Sequence, residues 1–280
     1  MNYRTILVHL DHSVRSPARA AMAALWSRAY ESHLVGLVPT GLYDGVIPAD
    51  AIASGMTDYI AESADYLRQR AEAIAREFRE SIAGSGPLSY EVRLVDGVTA
   101  DAVVRYGRAS DLVVLGQSDD SNRRDTTVHG LAEEVLMEVG RPVLVAPSSG
   151  VFEGSPKRIV VAWDGSRESA VALLAALPAL RRAARVTLVS LRHPDEEDNT
   201  QRLLVPDMIQ FLLRHGVQAR AESEVTEIDI ADALLSRVSD LSADLLVMGG
   251  YSHSRLRERI LGGVTRRILA EMTVPVLMSH

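Results

Sequence analysis

The sequence predicts an α/β protein: two tandem, doubly wound, mainly parallel five-stranded sheet domains of Rossmann-like type. Three observations carry that expectation. Short apolar runs alternate with segments of helical periodicity along all 280 residues. The runs are near-continuous in apolar residues, as strands of a parallel sheet covered on both faces require. Three segments also recur in the same order. Arg158–Asp164 (RIVVAWD) repeats Thr5–Asp11 (TILVHLD), Asp244–Gly249 (DLLVMG) repeats Asp111–Gly116 (DLVVLG), and Val274–Met278 (VPVLM) repeats Arg141–Val145 (RPVLV). Such self-similarity marks a duplicated unit. The expected domains are residues 1–150 and 151–280, joined through the linker Ser148–Pro156 (SSGVFEGSP).

In chain order, Thr5–Leu10 is the first strand, ending at Asp11. Ser16-Pro17 supplies a cap and a first-turn proline for a helix running to about Tyr30. Leu34–Val38 is the second strand, and Pro39–Gly55 a loop. Ile60, Ala64, Leu67, Ala71, Ile74 and Phe78 recur at spacings of four and three, which gives a long helix with one core face. Gly84–Pro87 ends it. Tyr90–Val95 is a strand, Thr99–Gly107 a short helix, Asp111–Leu115 a strand, Leu131–Val139 a helix and Arg141–Ala146 the last strand of the first half. The second half runs through the same pattern again.

Composition bounds the function. Apolar residues make up 47% and charged residues 24%, the balance of a globular protein with a proper core. No apolar run reaches membrane-spanning length, and the N-terminal run is too short for a signal peptide. Cysteine is absent, which removes disulfides, thiolate nucleophiles and cysteine-held metals. A net charge of −7 argues against a general nucleic-acid binder. A cytoplasmic protein without nucleic-acid or membrane partners is expected. Lys157 is the sole lysine and precedes a strand, so a Walker-type phosphate loop is excluded and Schiff-base chemistry nearly so.

The chemistry concentrates in Leu245–Thr265, LLVMGGYSHSRLRERILGGVT. An apolar run stops at Gly249-Gly250, an arginine-rich loop follows, and Gly262-Gly263 opens an amphipathic helix. Small residues admit a ligand to the main chain, and the free N–H groups of a helix start face an anion. Arg255, Arg257 and Arg259 lie before that helix start, whereas Arg266 and Arg267 lie one turn in. Open α/β sheets bind ligands beyond the carboxyl ends of their strands, at the point where strand order reverses. Asp164 and Gly249 stand at such ends.

The tandem layout, the aspartate ending the first strand of each half and the glycines Gly249 and Gly262-Gly263 resemble a two-domain universal stress protein over nearly the whole chain. The resemblance implies an adenine nucleotide alpha-hydrolase-like fold, with the last strands of the two halves pairing in an intrachain pseudo-dimer; a further homodimer is compatible with it. It also implies an adenine nucleotide (ATP, ADP or AMP), with magnesium as an accompanying ion. The nucleotide-binding motif of that family, G-x2-G-x9-G-[ST], falls on Gly249, Ser252 and Gly262-Gly263, so this chain has serine for the second glycine and glycine for the final hydroxyl residue. The binding residues so implied are Ala162, Trp163, Asp164, Leu191, Met248, Gly249, Ser252, His253, Arg255, Gly262, Gly263, Val264 and Thr265. A sensor or scaffold with at most slow ATP hydrolysis is expected, because no general base is evident at the loop. The partner protein of such a scaffold is not named by the sequence.

Each candidate has a competing reading. Gly249 serves an ordinary strand-to-helix turn equally well, and Asp164-Gly165-Ser166 is good helix-entry chemistry without a ligand. Trp163, an aromatic within an apolar strand, is more readily core than a stacking surface. Charge runs such as the arginines are usually solvated faces. His9, His12, His33, His129, His193, His215, His253 and His280 show no metal-ligand spacing, so no metal site is expected. Gly250-Tyr-Ser252-His-Ser254 approaches the serine-hydrolase elbow G-x-S-x-G, but the last glycine is missing and only His280 follows the loop. The first-half copy of the loop carries Asp119-Asp120, which repel phosphate, and Leu131 in place of the second glycine of the pair. The first half is therefore expected to be a degenerate, empty copy. A non-nucleotide member acting through protein contacts is the alternative function.

Overall fold

The computed structural model describes residues 2–42, 44, 57–84, 86–118, 130–150, 152, 154–194, 204–251 and 263–280. Packing divides the chain into Tyr3–Arg141 and Pro142–His280, the latter taking Asn2 with it.

The N-terminal unit runs β1 (Thr5–His9), α1 (Ser16–Tyr30), β2 (His33–Pro39), α2 (Thr57–Ala83), β3 (Tyr90–Val95), α3 (Thr99–Gly107), β4 (Leu112–Gly116) and α4 (Leu131–Glu138). Its strands lie in the order β3-β2-β1-β4 and pair in parallel. Ile6, Leu7 and Val8 of β1 and Leu112, Val113 and Val114 of β4 are fully buried, as strands covered on both faces must be. The expected core face of α2 holds at Ala71 and Phe78, both buried, with Ala75 joining them. The side chain of Ile60 lies outside the described residues.

The C-terminal unit runs β5 (Val143–Ala146), β6 (Arg158–Ala162), α5 (Arg167–Leu180), β7 (Arg185–Arg192), α6 (Val205–Arg214), β8 (Ala219–Val225), α7 (Ile230–Asp240), β9 (Leu245–Gly249), α8 (Gly263–Glu271) and β10 (Val276–Ser279). Its strand order is β5-β10-β9-β6-β7-β8. Pairing is parallel throughout except between β5 and β10, which run antiparallel with Val276 opposite Val145 and Met278 opposite Val143. The fold is thus α/β with mixed, mostly parallel pairing, but it does not resolve into two separate five-stranded sheets. The last strand of the first half packs in the C-terminal unit. The reason is its sequence: all four residues of β5 are apolar and buried, and pairing with β10 removes two hydrophobic edges at once.

The duplication extends to the hydrogen bonds. The Asp111 carboxylate, just before β4, accepts from the N–H groups of Arg4 (2.7 Å) and Thr5 (2.9 Å) at the entry to β1. Asp244, just before β9, does the same for Lys157 (2.9 Å) and Arg158 (2.8 Å) at the entry to β6. One carboxylate in each half therefore fixes the register of the two strands that flank its switch point. Helix starts diverge. Ser166 caps α5 by accepting from Ser169 N–H at 3.1 Å. Ser16, expected to cap α1, begins the helix instead, and its hydroxyl accepts from the Asp11 N–H at 3.2 Å.

Candidate functional site

In the C-terminal unit β6 lies between β7 and β9, so strand order reverses at its carboxyl end. A cavity of about 150 Å³ opens there. It gathers Ala162, Trp163, Asp164, Leu191, Met248, Gly249, Val264 and Thr265, residues drawn from β6, β7, β9 and α8 that are up to 103 positions apart in sequence (265 − 162). Gly263 is exposed at the first position of α8 but does not line the cavity. Ser252, His253, Arg255 and Gly262, with Arg257 and Arg259, lie outside the described residues, as do Asp119, Asp120 and His129 of the first half.

The walls are mostly apolar. Trp163 is buried, and its backbone N–H donates to the Val189 carbonyl at 2.8 Å, which extends the strand one residue and holds the indole against the cavity. Met248 and Leu234 are also buried. Asp164 is exposed at the rim, and its Oδ1 accepts from Ser166 N–H at 2.9 Å. That bond closes the turn into α5, with Gly165 at φ +72°. The carboxylate is thereby tied to the fold while it lines the cavity mouth. Thr265 is buried and its hydroxyl accepts from Tyr251 N–H at 3.1 Å, pinning the first turn of α8 to the chain leaving β9. His280 completes this edge with a ring nitrogen 3.1 Å from the Gly250 carbonyl.

Gly249 is needed for packing as well as for any ligand. A Cβ there would lie 2.6 Å from the Ser169 nitrogen and 2.7 Å from the Glu168 carbonyl carbon. The start of α5 therefore rests directly on the end of β9, and only glycine permits that approach. Four lining residues escaped the sequence: Ser169, Val189, Ile230 and Leu234. Ile230 and Leu234 stand four apart on α7, which reads as an ordinary core face. Ser169 had a signal that was missed: it lies five residues after Asp164 as Ser16 lies five after Asp11.

The matching place in the N-terminal unit is blocked on its β4 side. Arg19 of α1 is only 4% exposed and reaches the carboxyl end of β1, where Nε donates to the His9 carbonyl at 2.8 Å. One terminal nitrogen pairs with Asp11 at 3.0 Å, and the other lies so near Gly116 that a Cβ there would sit 2.3 Å from it. Burial pushes the Asp11 carboxyl up, but Arg19, then His9 and the bonds from Ser13, outweigh it and hold the group well below the usual carboxylate range. Burial likewise lowers the His9 imidazole to about 4; Asp11 opposes that shift and Arg19 adds to it. His9 is therefore neutral near pH 7. At the position of Arg19 the second half has Ala172, which is fully buried and cannot reach the strand end. The guanidinium, rather than the loop acids alone, is what distinguishes the two copies.

Residues 156–280 match the universal stress protein family. A universal stress protein of Synechocystis sp. is 22% identical over 242 residues, which cover 83% of this chain and 80% of that protein. The crystal structure of a universal stress protein from Archaeoglobus fulgidus superposes with a TM-score of 0.75 at 17% identity, covering 98% of this chain and 97% of that one. A putative universal stress protein from Pseudomonas aeruginosa gives 0.61 at 16% identity, covering 98% and 92%.

Proposed function

The chain belongs to the universal stress protein family, and from that premise we propose that its second half binds an adenine nucleotide and serves as a sensor or scaffold in a stress response. The observation that carries this reading is the cavity at the ends of β6, β7 and β9. It has the composition of a base pocket: Trp163, Leu191, Met248 and Val264 offer flat or apolar contact, and Asp164 waits at the rim. Its volume of about 150 Å³ suits a single aromatic ring rather than a whole nucleotide. In this reading the base enters the cavity, the ribose hydroxyls donate to Asp164, and the phosphates lie outside, over the free N–H groups at the start of α8.

Among the described residues no cluster of three or more histidine or carboxylate side chains is suited to a metal. A magnesium ion in this reading comes in on the phosphates instead. Asp164 is held by the α5 turn, which suits it to positioning a sugar rather than to activating water. The reading is tested by calorimetric titration of the full chain with ATP, ADP and AMP. Saturation at one equivalent, lost in Leu234→Trp through filling of the cavity, is the expected result. No heat with any of the three would instead favour the member that acts through protein contacts alone.

A further inference from the structure

The first half is not simply an empty copy. A second cavity, of about 230 Å³, opens in the N-terminal unit at the ends of β1 and β2, on the far side of His9 and Asp11 from the sealed Gly116. Its charged groups are largely spent on the fold. Asp11 is paired with Arg19 and accepts from both the N–H and the hydroxyl of Ser13. Asp44 accepts from the N–H of Thr99 at 2.7 Å and from its hydroxyl, holding the start of α3. His9 is uncharged. The Thr40 hydroxyl is buried without a well-formed hydrogen bond; it gives slight support to Asp96, whose carboxyl is held low chiefly by Arg68.

Arg70 is different. It lies on α2 between Leu67, Ala71 and Ile74, at the three- and four-residue spacings that place all four on the face lining this cavity. It is half-buried, and it makes no hydrogen bond or ion pair with any other described residue. A guanidinium set into an apolar helix face, with no anion among the described residues, is an unfavourable arrangement on its own account. Its planar fork matches a carboxylate.

We propose that this first-half cavity binds a small organic carboxylate with an apolar body, the carboxylate on Arg70 and the body against Leu67, Ala71 and Ile74. The Thr40 hydroxyl and neutral His9 supply the remaining polar contacts. A space of about 230 Å³ sets the ligand at fragment size. His9, Asp11, Pro39 and Thr99 of this cavity correspond to Ala162, Asp164, Leu191 and Ile230 of the second-half cavity. But Arg19 covers Gly116 and Arg70 adds a cation, so the two differ in chemistry. The proposal stands without the nucleotide reading.

The test titrates the full-length chain with butyrate, benzoate and phenylacetate, and with their uncharged amides, following chemical shifts or heat. At least one carboxylate saturates and its amide does not. Arg70→Gln weakens that carboxylate roughly ten-fold or more, the worth of a charge-assisted hydrogen bond. It does not lower the melting temperature, because Arg70 bonds to no other described residue and the variant loses an unpaired charge. Ile74→Trp abolishes binding by filling the space. ATP does not displace the carboxylate. The proposal is overturned if none of the three binds the folded chain at millimolar concentration, if Arg70→Gln binds as well as the parent protein, or if ATP competes.

Discussion

At the scale of single residues, His9 carries a consequence for acid stability. Burial lowers its imidazole from 6.5 to about 4, so between those values the unfolded chain takes up a proton that the folded chain refuses. Stability therefore rises with pH across that window and is lost on acidification from about 6.5 towards 4, by up to about 3 kcal/mol. His9→Gln is expected to flatten the denaturation midpoint against pH in this range; an unchanged slope would locate the acid sensitivity elsewhere. The two switch-point glycines make a second comparison. A methyl at Gly249 meets the backbone of α5, whereas a methyl at Gly116 meets the tip of a side chain, although a pinned one. Gly249→Ala should cost about 1–3 kcal/mol and should also deform the cavity. Gly116→Ala should cost less, and the reverse order in chemical denaturation would mean that Arg19 is held more rigidly than the α5 backbone.

At the scale of elements, the start of α5 links stability to the site. Asp164, Gly165 and Ser166 form one turn that caps the helix, holds Asp164 at the cavity rim and presses Ser169 onto Gly249. Ser166→Ala should lower stability by about 1 kcal/mol through loss of the cap, and should also weaken nucleotide binding because the same turn orients Asp164. Lower stability with unchanged affinity would separate the two roles.

Much at this scale was legible in the sequence. Buried parallel strands are apolar runs, and the aspartates that begin DLVVLG and DLLVMG recur because each fixes a strand entry. Two features were not legible. An arginine in a helix reads as surface, and nothing short of the fold shows that Arg19 turns inward to β1, although alignment with Ala172 marks the position as unlike its copy. Ser16 looks like a helix cap in one dimension, but the hydroxyl is claimed by Asp11 once the chain folds. In the site, residues at strand ends were legible because position alone puts them there. Ile230 and Leu234 were not, since a helix face that lines a cavity and one that lines a core have the same period.

At the scale of the whole molecule, duplication followed by divergence is the central feature. Two copies of one βα pattern keep the same strand-entry aspartates and the same switch points. One switch point is left open among apolar side chains, and the other is covered on its β4 side by an arginine that pairs with its own aspartate. The proposed stoichiometry is therefore one nucleotide per chain, held by the second half. Its two tryptophans allow that claim to be read directly. Trp26 is buried in the N-terminal unit beside Tyr3 and Tyr30, whereas Trp163 lines the proposed base pocket. The measurement is a titration of the Trp26→Phe chain with ATP, following the emission of Trp163. A saturable change complete at one equivalent per chain is the expected result; emission that stays constant into the millimolar range, or saturates only at two equivalents, would contradict the account.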